Sequence, residues 1–391
     1  MPKKIAAIVT EYRRWSHADV ILRNLLDGYS PDQKTRPDME LVSLYTDQVP
    51  KVDLSRELAK KHGFKICDTI AEALTLGTHK LAVDGVISIG EHGDYKHNEK
   101  DQHLYPRRRF FEEIAKVFEK TGQSVPAFND KHLAATWDDA KWMYDRARKL
   151  LVPFLAGSSV PTTWRKPKLV LPKGSELLGA IQIGYAGFEA YGFHALEGMQ
   201  CMVERRKGGE TGVKAVAVHD NAAMWEVLDR HKWVAPVLEA ALQRVPEHAK
   251  EDVRIATSQS KEAALIEVEY RDGFRGLVVM ANGWVREGEG GPFAFATQIK
   301  GEANPVSCQF YLQGVDPFSH FAELTKAIDS MMRTGHAPYP VERTLLTTGI
   351  LDAAMTSRFK KGERIATPHL DIKYQPTEWG PATSPVPTDK K

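Results

Sequence analysis

Over the first 156 residues, short apolar runs alternate with segments of helical period. Residues 4–10 (KIAAIVT), 39–45 (MELVSLY), 64–67, 85–89 (GVISI), 125–129 and 153–156 read as strands. Residues 17–26, 54–62, 70–76, 108–121 and 137–150 read as helices, with Thr69 placed to cap the third and Gly28, Gly63, Gly77 and Gly122 closing the first four. The strands do not alternate apolar with polar positions, so both faces must be covered, as in a parallel sheet between two helical layers. Right-handed crossovers then predict a Rossmann-type, doubly wound domain over 1–156.

The pattern changes after the Ala156–Ser158 stretch. Residues 177–185, 213–219, 263–270, 274–281, 293–300 and 307–313 read as strands, and the Asp272-Gly273 step marks a hairpin. Helices are expected at 224–244, 320–332 and 341–358. Consecutive strands with short turns predict an α+β domain over 157–374 with an open, mostly antiparallel sheet. Residues 375–391 (QPTEWGPATSPVPTDKK) are Pro-rich and aperiodic, which predicts a flexible tail. No internal repeat is visible.

Composition narrows the function classes. The 391 residues are 42% apolar and 27% charged, an ordinary globular mixture. With 53 Lys and Arg against 51 Asp and Glu, the net charge of +2 gives no reason to expect nucleic acid or an acidic membrane as partner. No run approaches the ~20 apolar residues of a membrane span, and the apolar run near Met1 is too short for a secretory signal. Cys67, Cys201 and Cys308 are scattered and odd in number, so they form neither a disulfide framework nor a metal box. A cytoplasmic protein with a small-molecule partner is the expectation.

Three segments, in order, resemble the Gfo/Idh/MocA oxidoreductases: NDKHLAATWDDAKWMYDRAR from Asn129, GFHALEGM from Gly192, and PYPVERTLLTTGILDAAMTSRFKKGERI from Pro338. The first is similar to the family's EKP segment and following helix, the second to its GxHxxD helix, the third to its terminal helix. The resemblance implies a Rossmann domain joined to an open-sheet domain, a homo-oligomer, and an oxidoreductase acting on a sugar-like or polyhydroxylated molecule with NAD or NADP. It implies catalytic roles for Lys131, which matches the EKP lysine, and for His194, which matches the acid/base histidine. Asp47 follows the second strand, where the family places an acid for the adenosine ribose. The Asp that commonly sits four residues before the histidine is Ala190 here, with Glu189 and Tyr191 as neighbours.

The phosphate-binding turn departs from that pattern. Where the family has G-x-G-x-x-G, this chain has VTEYRR, so the glycine positions fall on Val9, Glu11 and Arg14. A β-branched residue resists positive φ, and a carboxylate ~4 Å from a phosphate charge costs about 1–4 kcal/mol depending on screening. Arg13 and Arg14 offset part of that. A nucleotide bound across this altered loop would touch Thr10, Tyr12, Arg13 and Asp47.

After the fourth strand comes a polar insertion, GEHGDYKHNEKDQHLYPRRR, from Gly90 to Arg109. Three readings of it compete: a solvated loop, a substrate-binding wall, or a divalent metal site from His92, Asp94, His97 and His103 whose spacing matches no known box. The substrate-binding reading singles out Glu91, His92, Asp94 and Tyr95, joined by Asp130 and His132 from the next strand end. The segment Gly157-Ser158-Ser159 with Trp164 and Arg165, and the clusters YRR and YPRRR, are further ligand-contacting candidates, the clusters for a phosphate or carboxylate. Two functional classes stand beside the oxidoreductase. One is a non-redox lyase, epimerase or hydrolase that has lost the dinucleotide; the other is a binding or regulatory protein without turnover.

Overall fold

The structure, a computed structural model, describes residues 1–29, 35–288 and 290–387. In chain order the first part holds β1 (Lys3–Val9), α1 (His17–Leu26), β2 (Met39–Thr46), α2 (Ser55–His62), β3 (Lys65–Cys67), α3 (Ile70–Thr75), β4 (Gly85–Ile89), α4 (Arg107–Thr121), β5 (Ala127–Asp130), α5 (Trp137–Lys149) and β6 (Phe154–Gly157). The strands pair in parallel in the order β3-β2-β1-β4-β5-β6, the doubly wound arrangement expected from the sequence. All five residues of β4 are buried, as are Ile5 to Val9 of β1, because helices cover both faces. Side-chain caps begin three of these helices: Ser16, Thr69 and Thr136 accept from Asp19, Glu72 and Asp139. Gly63 (φ 83°) and Gly122 (φ 66°) end α2 and α4 in the left-handed conformation.

The rest of the chain holds β7 (Trp164–Lys166), β8 (Leu177–Gly184), α6 (Ala190–Val203), β9 (Val213–Asp220), α7 (Ala223–Leu228), α8 (Val234–Leu242), α9 (Val253–Gln259), β10 (Ala264–Tyr270), β11 (Arg275–Met280), β12 (Ala294–Ile299), β13 (Val306–Tyr311), α10 (His320–Thr334), α11 (Val341–Phe359) and β14 (Ile365–Ala366). Its eight strands run β14-β9-β10-β11-β8-β12-β13-β7, antiparallel throughout except for β11 beside β8. The expected helix over 224–244 is broken into α7 and α8. Pro236 falls in the first turn of α8; inside one continuous helix its ring would clash with the carbonyl four residues earlier.

Two compact units result. The first comprises Met1–Asn98, His103–Gly157 and Pro317–Leu345; the second comprises Glu99–Gln102, Ser158–Asp316 and Leu346–Lys391. Residues 317–345 fall within the stretch 157–374 expected to be one domain, yet they pack in the first unit. There Leu324, Ile328, Met331 and Met332 of α10 join the core made by Val20, Ile21 and Leu25 of α1 and Leu41 of β2. Gly85 at the start of β4 leaves room for that contact: a Cβ there would meet Met332 Sδ at 2.3 Å and make the Met332 side chain shift. The expected loose tail is anchored in the second unit: Ala382 N bonds Thr162 O, and Trp164 Nε1 bonds Ser384 O. Residues 388–391 of that tail lie outside the described residues.

Candidate functional site

Carbonyl ends of parallel strands face outward at one edge of the sheet, and there the first unit concentrates its ionisable groups. The loops leaving the adjacent strands β1, β4 and β5 hold non-glycine residues in the left-handed region: Trp15 (φ 63°) after β1, His92 (φ 69°) and Asp101 (φ 63°) after β4, and Lys131 (φ 62°) after β5. Such backbone costs of order 1 kcal/mol per residue and persists only where the surroundings fix it.

Glu91, at the end of β4, is 6% exposed and faces two cations. Arg107 Nη2 lies 2.7 Å from one oxygen and Lys131 Nζ 3.1 Å from the other. Burial opposes its ionisation, but Lys131 and Arg107 more than offset this and hold the carboxyl well below its usual range. Arg107 Nη1 also meets His132 Nε2 at 2.7 Å. Arginine can only donate, so that nitrogen accepts and His132 carries its proton on Nδ1. Burial, then Arg107, pushes the His132 pKa well down, which keeps it neutral. Lys131 N bonds Gly157 O, while Asn129 Nδ2 bonds the carbonyls of Asp130 and His132 and fixes the turn. Glu91, Lys131 and His132 are thus brought together as the sequence suggested.

Beside this cluster stands a pair the sequence reading missed. His17 Nδ1, on the first residue of α1, is 2.7 Å from Asp130 Oδ2. The His17 ring meets His92 edge-to-face at 5.6 Å and Phe321 of α10 edge-to-face at 5.0 Å. His17 reads as an ordinary helix position; the usable signal was an ionisable residue directly after a Ser cap, at the end of the central strand.

The remaining candidates divide. Asp47 accepts from Tyr45 (2.7 Å), Tyr95 (2.6 Å) and Arg109 (2.5 Å). Burial opposes its charge, and these bonds outweigh burial and lower its pKa. The Gln48 side chain pairs with the backbone of Asp94 in both directions at 2.9 Å. Asp94 itself is exposed. Because β1 lies between β2 and β4, this strap from the end of β4 to the end of β2 passes across the end of β1. His97 and His103 stack at 4.2 Å, and His103 stacks on Tyr105 at 3.9 Å, so they brace the insertion. Among the described residues no group of three or more His, Cys, Asp or Glu is placed to hold a metal.

The arginines of YPRRR diverge, Arg107 to Glu91, Arg108 to Glu112 and Arg109 to Asp47, so they form no common anion site. Trp164 is buried with its indole N–H on Ser384, and Arg165 bonds Leu169 O; both serve packing rather than a ligand. In the second unit, His194 Nδ1 is 2.6 Å from Ser158 Oγ, which accepts from Val160 N. Glu197, fully buried, accepts from Thr347 Oγ1 at 2.7 Å and from Ser158 N at 3.4 Å. Tyr191 lies edge-to-face with His194 at 6.0 Å.

No family model and no curated protein matches this chain. Solved structures do. GenD2 from gentamicin A biosynthesis, determined in complex with NAD, is 12% identical, with 94% of this chain and 96% of that one covered and a TM-score of 0.55. A putative myo-inositol dehydrogenase from Sinorhizobium meliloti is 11% identical over 93% and 99%, with a TM-score of 0.54. An oxidoreductase from Agrobacterium radiobacter, in complex with NAD+, L-tartaric acid and magnesium, is 12% identical over 94% and 98%, with a TM-score of 0.55. The chain is therefore built on the fold of these dehydrogenases, the two-part architecture implied by its resemblance to the Gfo/Idh/MocA group.

The residues present do not fit a dinucleotide in the usual Rossmann placement, where the diphosphate rests on backbone N–H groups at the start of α1. Asp19 Oδ2 already accepts from Trp15 N at 2.8 Å, a carboxylate standing where an anion would be held. Glu11 is buried against Arg13 at 2.5 Å. Tyr12 is fully buried in the core and presents no surface to a cofactor, which corrects its expected role. Thr10 is likewise enclosed, its hydroxyl donating to Glu91 O at 2.5 Å. Asp47 has three donors in place of a ribose.

Proposed function

We propose that the protein is an enzyme that moves a proton on a sugar-like, polyhydroxylated carbonyl compound, an epimerase or lyase that works without a nicotinamide. The observation that carries this reading is the buried Lys131–Glu91 pair at adjacent strand ends, with His92 and Lys131 itself held in left-handed backbone. Lys131 has three N–H donors, and Glu91 takes one. The others are suited to a substrate oxygen on which negative charge develops. When a proton leaves the carbon beside a carbonyl, its bonding pair forms the C–C double bond and the carbonyl pair moves to oxygen, opposite the Lys131 ammonium. Return of the proton to the other face gives the epimer; loss of a β-hydroxyl as water gives elimination. His194, held by Ser158, is a second candidate for proton transfer in its own unit.

The test is hydrogen exchange in D2O, read by proton NMR, with D-fructose, aldoses and keto-inositols as probes. Loss of a C–H signal beside the carbonyl without added nucleotide is expected, and Lys131→Met should slow it about 10²–10⁴-fold while the protein still melts cooperatively. The redox reading is favoured by the NAD-bound dehydrogenases of the same fold. Saturable enhancement of NADH or NADPH fluorescence below millimolar cofactor, with no exchange of any probe, would establish it instead.

A further inference from the structure

We infer that His17, oriented by Asp130, is the group that takes the proton from carbon in the reaction proposed above, an inference that rests on that reading. A carboxylate accepts only, so the 2.7 Å contact with Asp130 Oδ2 puts the hydrogen of neutral His17 on Nδ1 and leaves the Nε2 lone pair for a substrate proton. Asp130 is 2% exposed at its side chain and His17 14%, so the dyad is sheltered behind and reachable in front. Among the described residues Nε2 takes no hydrogen bond. Placement on the first turn of α1 is no stabilising device, because a helix N-terminus disfavours a cation.

The neighbours select His17 over the other imidazoles. His92, from the end of β4, has its pKa lowered to about 4 by burial and then by His17. His320, from α10, is lowered to about 3 by burial and then by His17. Glu91 also faces this group, with its charge committed to Lys131 and Arg107, and Phe321 lies edge-to-face with His17 at 5.0 Å. Of His17, His92 and His320, only His17 has a carboxylate hydrogen-bonded to its ring, Asp130 at 2.7 Å. Asp130 acts through His17 and is a positioning residue.

Histidine-labelled ¹⁵N NMR of the full chain, with His17→Gln giving the assignment, reads the tautomer directly. The native protein should show His17 protonated at Nδ1. Asp130→Asn, able to offer an N–H to Nδ1, should move the hydrogen to Nε2. In the D2O assay His17→Gln should lower the rate constant at least 100-fold with KM within about threefold, and added imidazole should restore part of it. Asp130→Asn should lose rate without regaining it from imidazole. Exchange within threefold of native in His17→Gln would overturn the inference, as would a native Nε2–H tautomer, which is decisive even if no probe exchanges. Failure of every probe in the native protein would sink the proposed reaction and leave the dyad to be judged by its tautomer.

Discussion

Two clusters of buried polar side chains, one in each unit, differ in how completely they satisfy themselves. In the second unit Glu210 accepts from Gln200, Arg206, Thr211 N and Gly212 N, Tyr270 donates to Gln200, and Tyr374 bridges Gln200 and Glu204. Arg206, 3% exposed at its side chain, also holds Asp272 at 2.7 Å. Every group there is spent on another. At the sheet edge of the first unit, Arg107 Nε, Asn129 Oδ1, His92 Nε2 and His320 Nδ1 are buried without a hydrogen-bond partner among the described residues. An unmet buried polar group costs about 1–3 kcal/mol, so a fold that keeps several in one place carries a cost that a bound molecule can relieve. The closed cluster is a brace; the open one, under the function proposed above, is the receptor.

The largest effect expected from this contrast is on stability. Glu210→Ala removes the buried acceptor shared by Arg206 and three other donors and should cost about 3–5 kcal/mol in chemical denaturation. The refolded fraction should keep its exchange rate, and a rate that fell with Glu210→Ala would break the division between brace and receptor.

Acid should act on the receptor. Below about pH 6.5 the unfolded chain binds protons on His92 and His320, whereas the folded chain does not until about 4 and 3. Unfolding then takes up protons, so stability falls as pH drops from 6.5 toward 4, by up to about 3 kcal/mol for His92. Thermal melts across that window should show the loss, and His320→Phe should flatten the slope. The smallest effect belongs to the strap. Tyr95→Phe removes one bond to Asp47 and should cost about 1 kcal/mol. It should leave NADH unbound, because Asp19 still occupies Trp15 N; saturable fluorescence would show that the strap alone excludes the cofactor.

Much of this was legible beforehand, for local reasons. Runs such as IAAIV and GVISI bury on both faces, and that fixes a parallel sheet without any long-range information. Glu91, Lys131 and His132 stood out because strand ends in such a sheet are where ligands gather. Other parts depend on contacts distant in sequence. His17 and Asp130 are 113 positions apart, and nothing near His17 announces a carboxylate. Tyr12 read as a loop residue beside a cofactor because its burial comes from a core that includes α10, more than 300 positions on. Periodicity found α10 itself but not the sheet it would cover.

That helix has a practical consequence. A fragment cut after Gly157 would lay bare Val20, Ile21, Leu25 and Leu41, the apolar surface on which Leu324, Ile328 and Met331 rest. Such a truncation should aggregate. A soluble miniature of the parallel-sheet half, for spectroscopy or engineering, would need the 317–345 hairpin of chain spliced back by a linker, so cloning boundaries should follow the packing rather than the order of the gene.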